Sequence, residues 1–142
     1  LDGSGVSELV AEVVSRLPEG PVYYPPGITT DQPEDLVIGE MVREKFLDRL
    51  REELPHSLVV VVEDLEQRED GLIDIAADVI VERKSQKGIV IGKGGSLLKE
   101  AGTAARHDLE ALLGNRVNLR LQVKVEPDWQ RKPQLLDRLG FD

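Results

Sequence analysis

Between residues 6 and 17 the apolar side chains fall at Val6, Leu9, Val10, Val13, Val14 and Leu17, the three-and-four spacing of one helix stripe. Ser4 and Ser7 are available as caps, and Pro18 with Gly20 ends the helix. Residues 18–33 hold five prolines, two glycines and two tyrosines, Tyr23 and Tyr24, and read as an extended connector. A second helix is predicted over residues 33–54, where Ile38, Met41, Val42, Phe46, Leu50 and Leu54 share a face, with Asp31 as its start signal and Pro55 as its stop.

The period then changes to two. Residues 58–66 are rich in valine and read as a strand, Asp70-Gly71 is a hairpin turn signal, and residues 72–83 place Ile73, Ile75, Ala77, Val79 and Val81 on one face. These two strands should pair antiparallel. After a glycine cluster, Leu97, Leu98, Ala101, Ala105, Leu109, Leu112 and Leu113 return to helical spacing, stopped by Gly114-Asn115. Residues 116–125 alternate cleanly, Val117, Leu119, Leu121, Val123 and Val125 against Arg116, Asn118, Arg120, Gln122 and Lys124, and should bury one face only. A short helix over residues 129–141 carries Leu135, Leu136 and Leu139. The order helix, strand, strand, short helix, helix, strand predicts an α+β domain, a three-stranded sheet with helices packed on one face.

A chain of 142 residues can bury a core without metal or disulfide, and this one has no cysteine. There is no signal-like segment, and the longest apolar run, residues 58–62, is far short of a membrane span, so the expectation is a soluble cytoplasmic protein. The first residue, Leu1, reads as the start of a fragment. The net charge of -9 hides an asymmetry: residues 31–78 carry fifteen acidic and five basic groups, whereas residues 83–106 carry six basic groups against Glu100 alone, and residues 116–132 five basic against two acidic. A polyanion is repelled by one part of such a molecule and attracted by another.

The attractive part contains Gly92-Lys93-Gly94-Gly95. A triphosphate-binding loop needs four residues between its first glycine and Gly-Lys-Ser/Thr; Gly88 is followed by three, and Gly94 replaces the hydroxyl. A dinucleotide Gly-x-Gly-x-x-Gly pattern fails at Leu97. What remains is a Gly-x-x-Gly bend between a short helix, carrying Ile89, Val90 and Ile91 as an apolar floor, and a longer one starting near Ser96. Glycines there let a sugar-phosphate backbone approach closely, amides at the new helix start favour negative charge, and Lys93 adds a cation at the tip, with Lys87 and Lys99 on its flanks. The plain alternative is a tight inter-helix turn beside solvated lysines. Gly102 reads as a packing glycine ahead of a ligand contact, Trp129 equally as a core anchor or a stacking surface, and Arg116, Arg120 and Lys124 as a solvated strand face ahead of an RNA groove. His56 and His107 lack metal-ligand spacing, and Glu63, Asp64, Glu66, Glu69 and Asp70 do not make a calcium loop.

Ile-Gly-x-x-Gly between a short and a long helix resembles the signature of the KH domain, and the element order α-β-β-α-α-β resembles that of its type II form, which implies a mixed sheet. The surroundings, Glu40, Arg43-Glu44-Lys45, Pro55, residues 85–95, Leu98-Lys99, Gly102, Ala105-Arg106, Leu113-Gly114, Val117, Leu119, Val123-Lys124-Val125, Trp129 and Leu139-Gly140-Phe141, resemble the C-terminal half of the Era family of bacterial GTPases. The resemblance implies a remnant of the last G-domain helix over residues 1–17, an interdomain linker over 18–32, a type II KH domain over 33–127 and a C-terminal helix or tail over 128–142. It departs from the family at Pro25-Pro26-Gly27-Ile28, which lacks an acidic residue, and at Gln130, where arginine is usual and Arg131 is adjacent.

The resemblance further implies single-stranded RNA as ligand, specifically the 3′ end of small-subunit ribosomal RNA during subunit assembly, with the small subunit as partner, no DNA, and a peripheral association with the inner membrane face open to the parent protein. GTP and magnesium are implied for a G domain outside this chain, which itself would hold no cofactor and carry out no catalysis. The implied RNA-binding residues are Lys87, Ile91, Gly92, Lys93, Gly94, Gly95 and Lys99, with Ser85, Gln86, Arg106 and Trp129 as weaker candidates. A protein-docking or adaptor module using the acidic face is the alternative expectation, and a nucleotide-dependent enzyme a third.

Overall fold

The computed structural model describes residues 3–20, 32–50 and 57–141. The chain divides into two units, Leu1–Asp31 and Gln32–Asp142. In the first, helix α1 (Val6–Arg16) begins after Gly5, which takes the cap position at φ +81° with no side-chain cap bond, so neither Ser4 nor Ser7 fills that role. Its apolar stripe from Val6 to Leu17 is exposed.

The second unit opens with α2 (Glu34–Leu47). Pro33 stands just before it, and the Asp35 carboxylate accepts the N–H of Leu36 at 3.0 Å. Ile38, Val42 and Phe46 are fully buried, as their shared face requires. The helix stops at Leu47, short of the predicted residue 54: the Arg49 N–H turns to the Phe46 carbonyl at 3.1 Å, tightening the ladder, and the Arg49 guanidinium takes the Lys45 carbonyl at 2.9 Å. Leu50 remains buried all the same. Asp31, the proposed start signal, lies outside the described residues, as do Leu54, Pro55, His56 and the tyrosine-proline stretch.

Strands β1 (Val59–Gln67), β2 (Ile73–Val81) and β3 (Val117–Val125) form one sheet in that order. The first pair is antiparallel, closed by a turn in which Asp70 accepts the Leu72 N–H at 3.0 Å and Gly71 sits at φ +81°. The second pair is parallel, in register from Ile73 opposite Val117 to Val81 opposite Val125. The crossover between them is α3 (Lys84–Ile91), a single 3-10 turn (Lys93–Gly95) and α4 (Ser96–Leu113).

One sheet face carries Val60, Ile75, Ala77, Val79, Val81 and Val123 against Phe46 of α2, Val90 of α3 and Ala101, Ala105 and Leu109 of α4. This is the α+β sheet with helices on one face that the element order predicted, and it is mixed as the family resemblance implied. The tail adds a smaller core on the opposite face, where Val59, Val61 and Ile80 meet Trp129, Leu135, Leu136 and Leu139. The single helix expected over residues 129–141 is divided into a 3-10 turn (Trp129–Arg131) and α5 (Pro133–Arg138), since proline has no N–H to continue a helix but fits its first turn. Among the described residues no helix is long and apolar enough to cross a membrane.

Candidate nucleic-acid interface

Helix α3 is set by its two ends. The Gln86 Oε1 accepts the backbone N–H groups of Glu82 at 3.0 Å and Arg83 at 2.9 Å, fixing the exit from β2. Val90 is fully buried and anchors the other end in the core. Two expectations are corrected here. The Gln86 oxygen is committed to the start of α3, and Val90 belongs to the core rather than to an exposed apolar floor. Ile91 is half-buried, Ile89 is exposed, and Ser85 and Lys84 stand on the exposed side of the helix.

The bend itself has two kinds of glycine. At Gly92, φ +76° and ψ 172°, a methyl group would lie 2.8 Å from Leu97 Cβ and 2.9 Å from its backbone nitrogen, so glycine is demanded by the fold. Gly94 and Gly95, at φ +59° and +79°, have no heavy atom within 4 Å of where a Cβ would stand. Their far side is open to an approaching strand. The Gly95 amide donates to the Gly92 carbonyl at 3.1 Å, and Ser96 N–H to that of Lys93. These bonds use two amides that the sequence assigned to anion binding, while the amides of Lys93 and Gly94 make no hydrogen bond among the described residues.

Beside the bend runs a groove of about 250 Å³, with Leu98, Lys99, Gly102, Thr103 and Arg106 of α4 on one wall and Leu119 and Leu121 of β3 on the other. A methyl at Gly102 would touch Leu121 Cδ1 at 3.3 Å, so this glycine sets how closely the walls approach, the packing role its sequence suggested. Alternation placed Leu119 and Leu121 on the helix side of β3. It could not show that β3 is an edge strand, which leaves both residues half-buried as the groove floor.

Charge is distributed to match. Among the described residues Lys84, Lys87, Lys93 and Lys99 enter no ion pair, whereas Lys45 pairs with Asp108, Lys124 with Asp78 and Lys132 with Glu126, each at 2.5 Å. Arg106 on the groove wall donates to Glu110 at 3.0 Å. Two carboxylates lie across the sheet: Asp74 and Asp78 are buried on the face turned away from α2, α3 and α4. The hydrogen bond from Asn118, then the Arg68 contact, hold the Asp74 carboxyl below its ordinary range. Burial pushes the Asp78 carboxyl up despite Lys124, and Arg138 of α5 pulls that of Glu63 down.

Trp129 is a further correction. Only 5 % exposed, with its indole N–H donated to the Ser57 carbonyl at 3.0 Å, it anchors the tail core and has no face for a base.

Lys93 thus stands in the bend, Lys99 on the groove wall and Lys87 on the helix that leads into the bend. The family model for the KH domain matches residues 53–130. The chain is 53 % identical over 98 % of its length to "GTPase Era" of Mycolicibacterium smegmatis, of which it covers 47 %. It is 52 % identical over 99 % of its length to the protein of that name in Mycobacterium tuberculosis, covering 48 %. It therefore spans about half the length of the curated relatives it matches. Among solved structures it resembles Aquifex aeolicus Era bound to GDP and aluminium fluoride, at 40 % identity and a TM-score of 0.87 over 96 % of this chain and 46 % of that one. It also resembles Era in complex with MgGDPNP and nucleotides 1506–1542 of 16S ribosomal RNA, at 40 % identity and a TM-score of 0.86, with the same two coverages.

Proposed function

We propose, from the premise that the chain belongs to the KH domain family, that it binds single-stranded RNA along the bend and the groove between α4 and β3. The observation that carries this reading is the open backbone at Gly94 and Gly95, with the Lys93 and Gly94 amides unengaged among the described residues and Lys87, Lys93 and Lys99 unpaired around them. Phosphates meet amides and ammonium groups at the bend, and bases lie over Leu119, Leu121 and the half-buried Ile91. Gly92 and Gly95 shape the backbone for this contact. Lys99 and Arg106 line the groove, and Ser85 stands at the outer side of α3.

The RNA we infer is the 3′ end of small-subunit ribosomal RNA during assembly of the small subunit in the cytoplasm, and the chain is the RNA-binding part of an Era-like GTPase. Support comes from the solved Era complex with 16S ribosomal RNA nucleotides, to which this chain is 40 % identical. GTP and magnesium belong to a G domain of that parent. The glycine cluster here does not fit a triphosphate: Gly88 lies inside α3, so no loop of amides runs from it to Lys93 to wrap phosphates.

The test is a titration of the chain with RNA ending in the small-subunit 3′ sequence and with a scrambled RNA, repeated for Lys93→Asp combined with Gly94→Asp. Aspartate tolerates a positive φ better than most residues, and nothing lies within 4 Å of the Gly94 Cβ position, so the double variant is expected to keep a native circular dichroism spectrum. It is expected to lose binding to both RNAs. Unchanged affinity would reject the clamp.

A further inference from the structure

Near the C-terminal end of α4, Glu110 makes contacts that the groove itself does not require. Its Oε1 accepts a hydrogen bond from Arg106 Nη1 at 3.0 Å and a second from the backbone N–H of Val117 at 3.1 Å. Arg106 stands on the α4 wall of the groove one helical turn away, and Val117 is the first residue of β3, buried and paired with Ile73. One carboxylate oxygen therefore joins the two walls. The covalent connection between them is otherwise Gly114, Asn115 and Arg116, all exposed, with Gly114 in the left-handed region at φ +70°. The Glu110 side chain is 26 % exposed, and the Val117 hydrogen bond, followed by the Arg106 charge, lowers its carboxyl below the usual glutamate value, so it is ionised at neutral pH.

Resting on the RNA-binding reading above, the geometry points to Glu110 as a positioning residue that fixes the spacing of α4 and β3 and aims Arg106 into the groove. A guanidinium has five N–H donors in a rigid fork. With one of them held by Glu110, the plane of the fork is set before RNA arrives, and the remaining donors present a fixed pattern to a base edge or a phosphate. A free Arg106 would offer the same charge without that pattern.

The sign of the effect separates this role from plain electrostatics. Removing a carboxylate from beside a cationic groove should strengthen attraction of a polyanion. Positioning requires the reverse. In the full 142-residue chain, Glu110→Ala is expected to weaken binding of the small-subunit 3′ RNA about tenfold and to narrow the preference over scrambled RNA. Glu110→Gln keeps a carbonyl oxygen that can accept from both Arg106 and Val117, and is expected to restore most of the affinity and the preference. Arg106→Lys, which keeps the charge and leaves the Val117 bond intact, should reproduce the loss of preference even if Glu110→Ala does not fold.

Equal or tighter RNA binding by a folded Glu110→Ala overturns the proposal. So does a Glu110→Gln variant as weak as Glu110→Ala, or an Arg106→Lys variant with unchanged preference. If the unaltered chain binds neither RNA, it is the RNA-binding reading that fails, a result distinct from all three.

Discussion

Gly39 and Gly88 both sit inside helices, and their surroundings give them opposite reasons to be there. A methyl on Gly39, buried in α2, would stand 2.9 Å from the Val60 carbonyl oxygen, where β1 passes directly beneath the helix. A methyl on Gly88, exposed in α3, would meet nothing within 4 Å. Alanine is favoured over glycine by about 1 kcal/mol in a helix, so Gly88→Ala should raise stability by close to that amount in urea unfolding. For Gly39→Ala the same gain is outweighed by overpacking against backbone, which costs about 1–3 kcal/mol, and a net loss is expected. Two shifts of the same sign would show that the contact at Gly39 relaxes freely. Sequence alone could not separate these glycines, because neither pattern nor composition says which helix face crosses a strand. The bend at Gly92 to Gly95 was legible as a turn between two helices, since clustered glycines interrupt helical spacing there, and the structure refines it by separating Gly92, which the fold needs, from Gly94 and Gly95, which it leaves open. Trp129 was half-legible: its size announced an anchor or a platform, and only the tail core decided between them.

At the scale of elements, periodicity found the three strands and every helix of the second unit except α3, which the glycine bend implied, but misjudged how two of them end. It also placed Asp74 and Asp78 on the polar face of β2 without showing that this face is buried. Burial follows from β2 being the central strand: Asp74 is covered by Asn118 of β3 and by Arg68, and Asp78 by Lys124. This makes the sheet sensitive to acid. The folded state holds the Asp74 carboxyl below its ordinary value of 3.8, so the unfolded chain binds the proton more readily. The stabilisation it supplies is complete above that value and is lost as the pH falls through the lower, folded one. Asp78, whose carboxyl is raised, contributes with the opposite sign, so a variant is needed to isolate Asp74. Asp74→Asn should be less stable than the unaltered chain at about pH 7 and should approach it as the pH is taken to about 2.5, measured by urea midpoints. A stability difference that stays constant over that range would remove Asp74 from the acid response.

For the molecule as a whole the difficulty is that a chain of net charge -9 is assigned a polyanionic ligand. Pairing and distance resolve it. Buried and paired carboxylates occupy the face turned away from the helices, while Lys87, Lys93 and Lys99 stand near the bend with no ion pair among the described residues. Ionic screening over about 8 Å at physiological salt keeps distant carboxylates from cancelling the unpaired lysines, so the local field and not the total sets the affinity. Three ammonium groups that each displace one counterion from a single strand give a log-log dependence of the binding constant on salt with a slope of about -2. Replacing Lys87, Lys93 and Lys99 by glutamine should remove most of that slope, leaving at most the share of Arg106. The control is Lys124→Gln, because Lys124 already pairs with Asp78 at 2.5 Å on the far face, and its loss should leave the slope where it was. If the lysine triple variant kept the original slope, the phosphates would have to be met elsewhere on the surface. If Lys124→Gln flattened the slope equally, the charge would act as a total after all, and the grouping of the three unpaired lysines would have no part in binding.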